Sequence, residues 1–138
     1  MSYDISLLDP VTREELHLPE NHLMAGGTYV AGGTTKAWLN ITWNYAKYYY
    51  KVFGRRPATP ADEKNMIPDR PEDTVGGIRV IYGLTGAESI PILEDAISKL
   101  GDDATDNYWE STEGNAKKPL LQLLALARML PHGVWDGD

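Results

Sequence analysis

Three stretches of polar and aromatic residues contain the side chains of this sequence that could hold a ligand. The first junction, residues 40–45, reads Asn-Ile-Thr-Trp-Asn-Tyr, and the second junction, residues 82–88, reads Tyr-Gly-Leu-Thr-Gly-Ala-Glu. The third junction comprises Tyr-Trp at 108–109 and Thr-Glu-Gly-Asn at 112–115. Each junction lies where a helix is expected to begin, so its polar groups stand beside helix N–H groups that lack an intrahelical partner. If the three helix starts meet, they form an aromatic-walled pocket that binds through hydrogen bonds.

The candidate ligand-binding residues are the aromatic and hydrogen-bonding side chains of these junctions: Asn40, Trp43, Asn44, Tyr45, Tyr82, Thr85, Trp109 and Asn115. The aromatic rings would supply stacking area, and the amide and hydroxyl groups would fix the orientation of the ligand. A simpler interpretation is that each junction only caps its own helix. Capping alone accounts for Asn44, Thr85 and either Thr112 or Asn115. The sequence leaves both interpretations open.

Two glutamates of the junctions, Glu88 and Glu113, are the candidates for catalysis. Two carboxyl groups in different environments can divide the roles of general acid and general base, as in a small hydrolase. Both residues are explained equally well as negative charges at helix starts, where the helix dipole favours them. No other catalytic set is evident, because the chain has no cysteine and its serines lack the glycine elbow of a nucleophile.

Sites for a metal or a cofactor are not indicated. His17, His22 and His132 are scattered, whereas a zinc site needs several convergent ligands. The glycine-rich segment 26–34 lacks the Lys-Ser/Thr ending of a phosphate loop, and no dinucleotide-binding glycine pattern occurs. The acidic run over 102–113 does not match a calcium loop and is typical of solvated charges before a helix. We therefore expect no metal and no cofactor.

The elements that position the junctions can be predicted from hydrophobic periodicity. Alternation predicts strands over 3–7, with a return through Leu16 and Leu18, over 35–43, and over 78–82. Three helices follow. Their predicted apolar stripes are Tyr45, Tyr48, Tyr49, Val52 and Phe53 in the first, Ile90, Leu93, Ile97 and Leu100 in the second, and Ala116, Leu120, Leu123, Leu124 and Ala127, broadened by Leu121, Met129 and Leu130, in the third.

The sequence also contains signals for where these helices begin and end. Asn44 is predicted to cap the first helix and Gly54 to end it. Thr85 and Glu88 have the spacing of a capping box, although Pro91 suits a start at Ser89 better. The fold class is therefore α+β, with a small antiparallel sheet from the N-terminal half packed with three helices.

The length, charge and composition of the chain indicate its domain organisation, its compartment and the partners that it excludes. The 138 residues carry a net charge of −7 and no cysteine, which suits a single domain, residues 1–138, without disulfides. Residues 54–77 are proline-rich and poor in large apolar groups, which predicts a surface insertion. No apolar run is long enough to cross a membrane and no basic, apolar leader is present, so a cytoplasmic protein is expected. The negative charge argues against direct binding to duplex nucleic acid.

Several blocks of the sequence resemble a group of small proteins encoded by phages and prophages, for which no function is assigned. These blocks are residues 39–45, 81–91, 112–116 and 135–138, and the proline-rich segment is the main part of the chain outside the resemblance. The resemblance implies an intracellular setting in a host cell during infection. It implies no catalytic residues.

The expected function is that of a phage-type, non-enzymatic binding or interaction protein. It would sequester a small polar metabolite or nucleotide at the junctions, or dock a host protein through its acidic face. The alternatives are a small carboxylate-dependent hydrolase and an acidic mimic of nucleic acid that blocks a DNA-binding host protein. Assembly into a homo-oligomer is compatible with all three.

Overall fold

The computed structural model describes residues 2–23, 33–60, 62 and 74–138. Residues 24–32, which contain most of the glycine-rich segment 26–34, and half of the predicted insertion at 54–77 lie outside this part of the chain. The described strands are β1 (Ser2–Leu8), β2 (His17–His22), β3 (Thr34–Lys36), β4 (Trp38–Thr42), β5 (Arg55–Pro57), β6 (Thr74–Gly76) and β7 (Val134–Gly137). The helices are α1 (Ala46–Phe53), α2 (Gly86–Ser98) and α3 (Glu113–Met129), with 3-10 helices at Trp43–Tyr45 and Gly77–Ile81.

An antiparallel sheet in the order β4-β1-β7 lies at the centre of the fold. Strand β1 buries every second side chain, Tyr3, Ile5 and Leu7, as its alternating sequence predicts. Ile5 lies opposite Leu39 of β4 on one side and Gly137 of β7 on the other. The helices pack on this sheet, which confirms the α+β class.

The sheet is not confined to the N-terminal half, because its third strand, β7, comes from the end of the chain. The predicted hairpin also closes only near its turn, where Leu8 pairs with Glu15. Beyond that point β2 leaves β1 and pairs with β3, while β4 takes the place beside β1. The partner of a strand depends on long-range packing, which the alternation of one segment does not encode.

The segment predicted as a strand over 78–82 forms instead the 3-10 helix Gly77–Ile81. All five of its residues are buried, so its apolar residues reflect complete burial and not a strand with one solvated face. Gly77 begins it with φ of 67°, a backbone conformation that favours glycine. The ends of the proline-rich segment pair as β5 and β6, with Arg56 opposite Val75.

The helices agree well with their sequence signals. Helix α1 ends at Gly54, and α2 begins with the predicted capping box of Thr85 and Glu88. Ser89 is therefore not the cap, and Pro91 lies inside α2. The cap of the first helical segment is Thr42 and not Asn44, since the Thr42 hydroxyl accepts from the Asn44 N–H.

Helix α3 is capped by Thr112. Its central stripe is buried as predicted: Ala116, Leu120, Leu123, Leu124 and Ala127. Leu121 and Met129 were expected to broaden this stripe but are about half exposed. Within the described ranges, no helix is both long enough and apolar enough to cross a membrane.

Candidate functional site

The first and third junctions lie against each other. The Tyr108 hydroxyl accepts from the Thr42 N–H at 2.8 Å, and the Asn44 amide donates to the Trp109 carbonyl at 3.0 Å. The Tyr45 hydroxyl donates to the Tyr108 carbonyl, and burial raises the pKa of Tyr45 to about 12, so this donor stays protonated. Two helix starts that are distant in sequence are thus joined by direct hydrogen bonds.

Asn115 is the centre of this contact. Its side chain is buried, and its oxygen accepts from the Thr105 N–H at 2.8 Å. Its amide nitrogen donates to the Thr105 hydroxyl and to the carbonyls of Asn107 and Glu110, at 2.9–3.1 Å. One side chain therefore fixes the whole loop that precedes α3.

The second junction lies at the opposite end of α3. The Gly86 N–H donates to the Gly133 carbonyl and the Ala87 N–H to the Pro131 carbonyl, at 2.8 and 2.9 Å. Helix α2 is antiparallel to α3, and a helix of 17 residues such as α3 is about 25 Å long. The condition for a shared pocket, that the three helix starts meet, is therefore not fulfilled, because the first and third lie together and the second lies apart from them.

The remaining candidate residues of the junctions have separate surroundings. The Asn40 amide donates to Ser2 and Asp4 on the neighbouring strand β1. The Trp43 ring lies 4.9 Å from that of Tyr3, and the guanidinium of Arg79 lies over both rings.

Tyr82 and Trp109 differ most in exposure. Tyr82 is 3% exposed, burial raises its pKa, and its hydroxyl has no hydrogen-bond partner within the described part of the chain. Trp109 is 63% exposed and lies against Tyr108. These two aromatic side chains therefore do not line one common ligand-binding pocket.

The two candidate catalytic glutamates do not form a pair. Glu88 accepts from the Thr85 N–H at the start of α2, whereas Glu113 accepts from the Gly101 N–H just beyond the end of α2. These points lie at opposite ends of α2, whose 13 residues span about 20 Å at 1.5 Å per residue. Paired carboxyl groups of glycosidases lie within about 10 Å. Glu88 and Glu113 are therefore too far apart to act together as the predicted acid/base pair.

Other acidic residues of the run over 102–113 also have structural partners. Asp103 accepts from the Gly114 N–H in the first turn of α3, and Asp102 forms an ion pair with Lys117 at 2.5 Å. Negative charge at this position is favoured by the helix dipole, as the sequence indicated. In the described residues, no group of three or more His, Cys, Asp or Glu side chains could hold a metal ion.

A small polar cavity lies where the first and third junctions meet. Its volume is about 150 Å³, and its lining includes Tyr45, Tyr108 and Asn115. Pockets for organic ligands usually measure about 300–1,000 Å³. This cavity is therefore of a size for a few water molecules and not for a nucleotide.

A larger space, which we call the α1–α2 groove, lies between α1, β5, the 3-10 helix Gly77–Ile81 and α2. Its volume is about 530 Å³, which is within the range of pockets that bind organic ligands. Its described lining residues are mostly apolar: Val52, Phe53, Arg55, Arg56, Val80, Leu84, Pro91, Ile92 and Asp95.

The two arginines of the groove have different roles. The Arg56 guanidinium binds both carboxylate oxygens of Asp62, at 2.8 and 3.0 Å, and also donates to the carbonyls of Val80 and Tyr82. Burial tends to raise the pKa of Asp62, but the hydrogen bonds from Arg56 and Thr59 outweigh it and lower that pKa below its ordinary value. Arg56 is thus fully engaged in joining β5 to the 3-10 helix.

Arg55, in contrast, has no hydrogen bond from its terminal nitrogens to a described residue. Its Nε donates to the Thr74 hydroxyl at 2.9 Å, and its guanidinium lies 5.9 Å from the centre of the Tyr50 ring. No carboxylate of a described residue forms an ion pair with it. Arg55 is therefore an exposed, oriented cation on the wall of an apolar groove.

Sequence reasoning did not find this groove. Its residues belong to the end of α1, to the start of the proline-rich segment, to the predicted strand over 78–82, to the second junction and to α2, and none of them is a predicted site residue. The adjacent cations Arg55 and Arg56, directly after the helix stop at Gly54, were the available signal. Comparisons of the chain with protein-family models, with curated proteins and with solved structures found no match.

Proposed function

We propose that this chain is a non-enzymatic binding protein that holds a small organic molecule in the α1–α2 groove, in the phage-type setting that its sequence blocks imply. The observation that carries the proposal is the groove itself, with a volume of about 530 Å³ and walls supplied by four elements. Its size and its largely apolar lining are those of ligand pockets in general.

The state of the polar side chains supports this choice of site. At the first and third junctions, the amides of Asn44 and Asn115 and the hydroxyl of Tyr45 are already bonded to the protein. A ligand there would have to replace existing hydrogen bonds, which yields little net free energy. The groove requires no such exchange.

The chemistry of the groove supports binding without catalysis. Its described lining contains one carboxylate, Asp95, which pairs with Lys99 at 2.8 Å, and no serine, threonine or histidine. General acid/base or nucleophilic catalysis needs a positioned proton acceptor or nucleophile with a matched partner. The described walls supply neither.

A neutral apolar probe tests the proposal. N-phenyl-1-naphthylamine fluoresces when it enters an apolar site, and we expect saturable binding that shifts the amide NMR signals of Val52, Leu84 and Ile92. Ile92→Glu, which places a charge in the groove, should abolish the binding. Ile97→Glu is the matched control, because Ile97 is a half-buried residue of α2 that does not line the groove.

If the probe causes no shifts at the groove, or if both variants bind it equally, the proposed function is wrong. A variant that has lost its cooperative thermal transition would be replaced by the milder pair Ile92→Gln and Ile97→Gln. The same criterion then applies to that pair.

A further inference from the structure

The ligand chemistry of the α1–α2 groove can be specified further. We infer that the groove takes an amphipathic organic anion, with an apolar body between α1 and α2 and an acidic head group at Arg55. This inference rests on the proposed function and names the ligand class of that same site.

The walls of the groove determine the body of the ligand. Six of its nine described lining residues carry apolar side chains: Val52, Phe53, Val80, Leu84, Pro91 and Ile92. None of the nine carries an amide or a hydroxyl group. A sugar, or a nucleotide with many donors and acceptors, would lose its hydrogen bonds to water there without replacement. An aliphatic or aromatic body gains free energy by leaving water, so the walls favour it.

Arg55 determines the head group. Strand pairing with Gly76 fixes its backbone, while Thr74 and Tyr50 hold its side chain. A Cβ atom on Gly76 would lie 2.8 Å from Nη1 of Arg55, so the glycine gives the guanidinium room to lie in this position. A guanidinium held in this way can form paired hydrogen bonds with a carboxylate, sulfonate or phosphate.

The charges around the groove determine where the acidic head group of the ligand would lie. Arg56, the second cation of the lining, is neutralised by Asp62, and Asp95 on the α2 wall is paired with Lys99, which leaves Arg55 as the charged lining residue without an ion-pair partner among the described residues. The whole chain carries a net charge of −7, which repels anions in general. Selective binding of an anion would therefore depend on Arg55.

Two probes that differ by one sulfonate group test the inference. They are neutral N-phenyl-1-naphthylamine and anionic 8-anilinonaphthalene-1-sulfonate, each titrated by fluorescence and mapped by amide NMR shifts. We expect the anionic probe to bind about fivefold more tightly, the factor for an exposed ion pair of about 1 kcal/mol. Arg55→Gln should remove this preference, measured in each protein as the ratio of the dissociation constants of the two probes.

Matched variants make the result specific. Lys51→Gln removes one positive charge from the exposed end of α1 without altering the groove lining, and the preference should remain. Arg55→Lys keeps the charge and should retain part of the preference. Raising the salt concentration should reduce the preference in the parent protein and have no effect on Arg55→Gln.

The outcomes separate the two proposals. If the neutral probe binds in the groove but the anionic probe binds no better, the inference is wrong and the proposed function stands. If neither probe shifts the groove signals, both are wrong. If adenosine monophosphate shifts these signals at lower concentration than the anionic probe, the apolar body is wrong and the ligand is a nucleotide.

Discussion

At the scale of single residues, the side chain of Asn115 holds the loop that precedes α3 in place. Nothing in the neighbouring sequence predicts this role. Replacing Asn115 with alanine would leave the Thr105 N–H and the carbonyls of Asn107 and Glu110 without their partner in a partly buried site. Unpaired buried polar groups are costly, so we expect Asn115→Ala to lower the free energy of unfolding by about 2–4 kcal/mol. Urea denaturation measures this change.

A second amide at the same place serves as its control. Asn44 is exposed, and among the described residues its side chain makes one hydrogen bond, to the Trp109 carbonyl. Water can replace that bond, so Asn44→Ala should cost less than about 1 kcal/mol. Equal losses in the two variants would contradict the central role of Asn115.

The ion pair of Asp62 with Arg56 predicts a pH-dependent stability. Because hydrogen bonds from Arg56 and Thr59 lower the pKa of Asp62, this carboxylate stabilises the fold above its unfolded pKa of about 4. The contribution is lost as the pH falls through the lower, folded value. We expect Asp62→Asn to cost about 2–3 kcal/mol at pH 7 and progressively less below pH ~4.

Urea denaturation of the parent protein and Asp62→Asn between pH 3 and pH 7 checks this prediction. Glu94→Gln is a suitable control, because Glu94 pairs with Arg128 at 3.5 Å in an exposed position. Its effect should be small at every pH. A difference between the parent and Asp62→Asn that does not change with pH would exclude the assigned role.

The residues that could be predicted from the sequence are those whose role is local. Thr85 and Glu88 form a capping box because both partners lie within one helical turn. The partners of Asn44 and Tyr45, in contrast, are main-chain carbonyls more than 60 positions away. A local pattern shows that such a side chain can form hydrogen bonds but not which group it reaches, so capping and ligand binding could not be separated.

At the scale of elements, the close contact of α2 with the end of α3 depends on Gly86. A Cβ atom there would lie 2.8 Å from the Leu130 carbonyl oxygen and 3.0 Å from that of Ala127. Both neighbours are main-chain atoms, which cannot move aside without displacing the helix. We expect Gly86→Ala to lower the free energy of unfolding by about 1–3 kcal/mol.

Gly101 provides the matched glycine for this experiment. A Cβ atom on Gly101 would meet nothing closer than 3.7 Å, and its φ is not positive. Gly101→Ala should therefore leave the melting temperature nearly unchanged. Similar losses in the two variants would show that the contact between α2 and α3 is not limited by this glycine.

The sequence predicted elements best where one face is buried and the other solvated. The buried stripe of α3 and the alternation of β1 both meet this condition. The 3-10 helix Gly77–Ile81 is buried on all sides, and β7 has only four residues, so neither has a clear period. The α1–α2 groove adjoins this 3-10 helix, which explains why sequence reasoning missed it.

At the scale of the whole molecule, Trp135 connects the last strand to the core. It is fully buried in β7, and its indole N–H donates to the Ser89 hydroxyl on α2 at 2.8 Å. We expect Trp135→Ala to lower the free energy of unfolding by about 3–5 kcal/mol, because it leaves a large cavity and unpairs Ser89. Trp109→Ala, at an exposed tryptophan, should cost less than about 1 kcal/mol.

Thermal and urea denaturation of both variants checks this expectation. The near-ultraviolet circular dichroism should also lose the signal of an immobilised indole in Trp135→Ala. A small loss in Trp135→Ala would mean that β7 is an accessory strand and not a part of the central sheet.

The position of β7 beside β1 has a consequence during synthesis on the ribosome. Among the described strands, β1 is made first and lies between β4 and β7, which is made last, and the main-chain N–H of Asp4 donates to the side chain of Asp138 at 2.9 Å. The main-chain groups on the β7 side of β1 therefore stay unpaired, and can bind other segments, until residues 134–137 have been translated. A nascent chain of this protein cannot complete its sheet before those residues leave the exit tunnel.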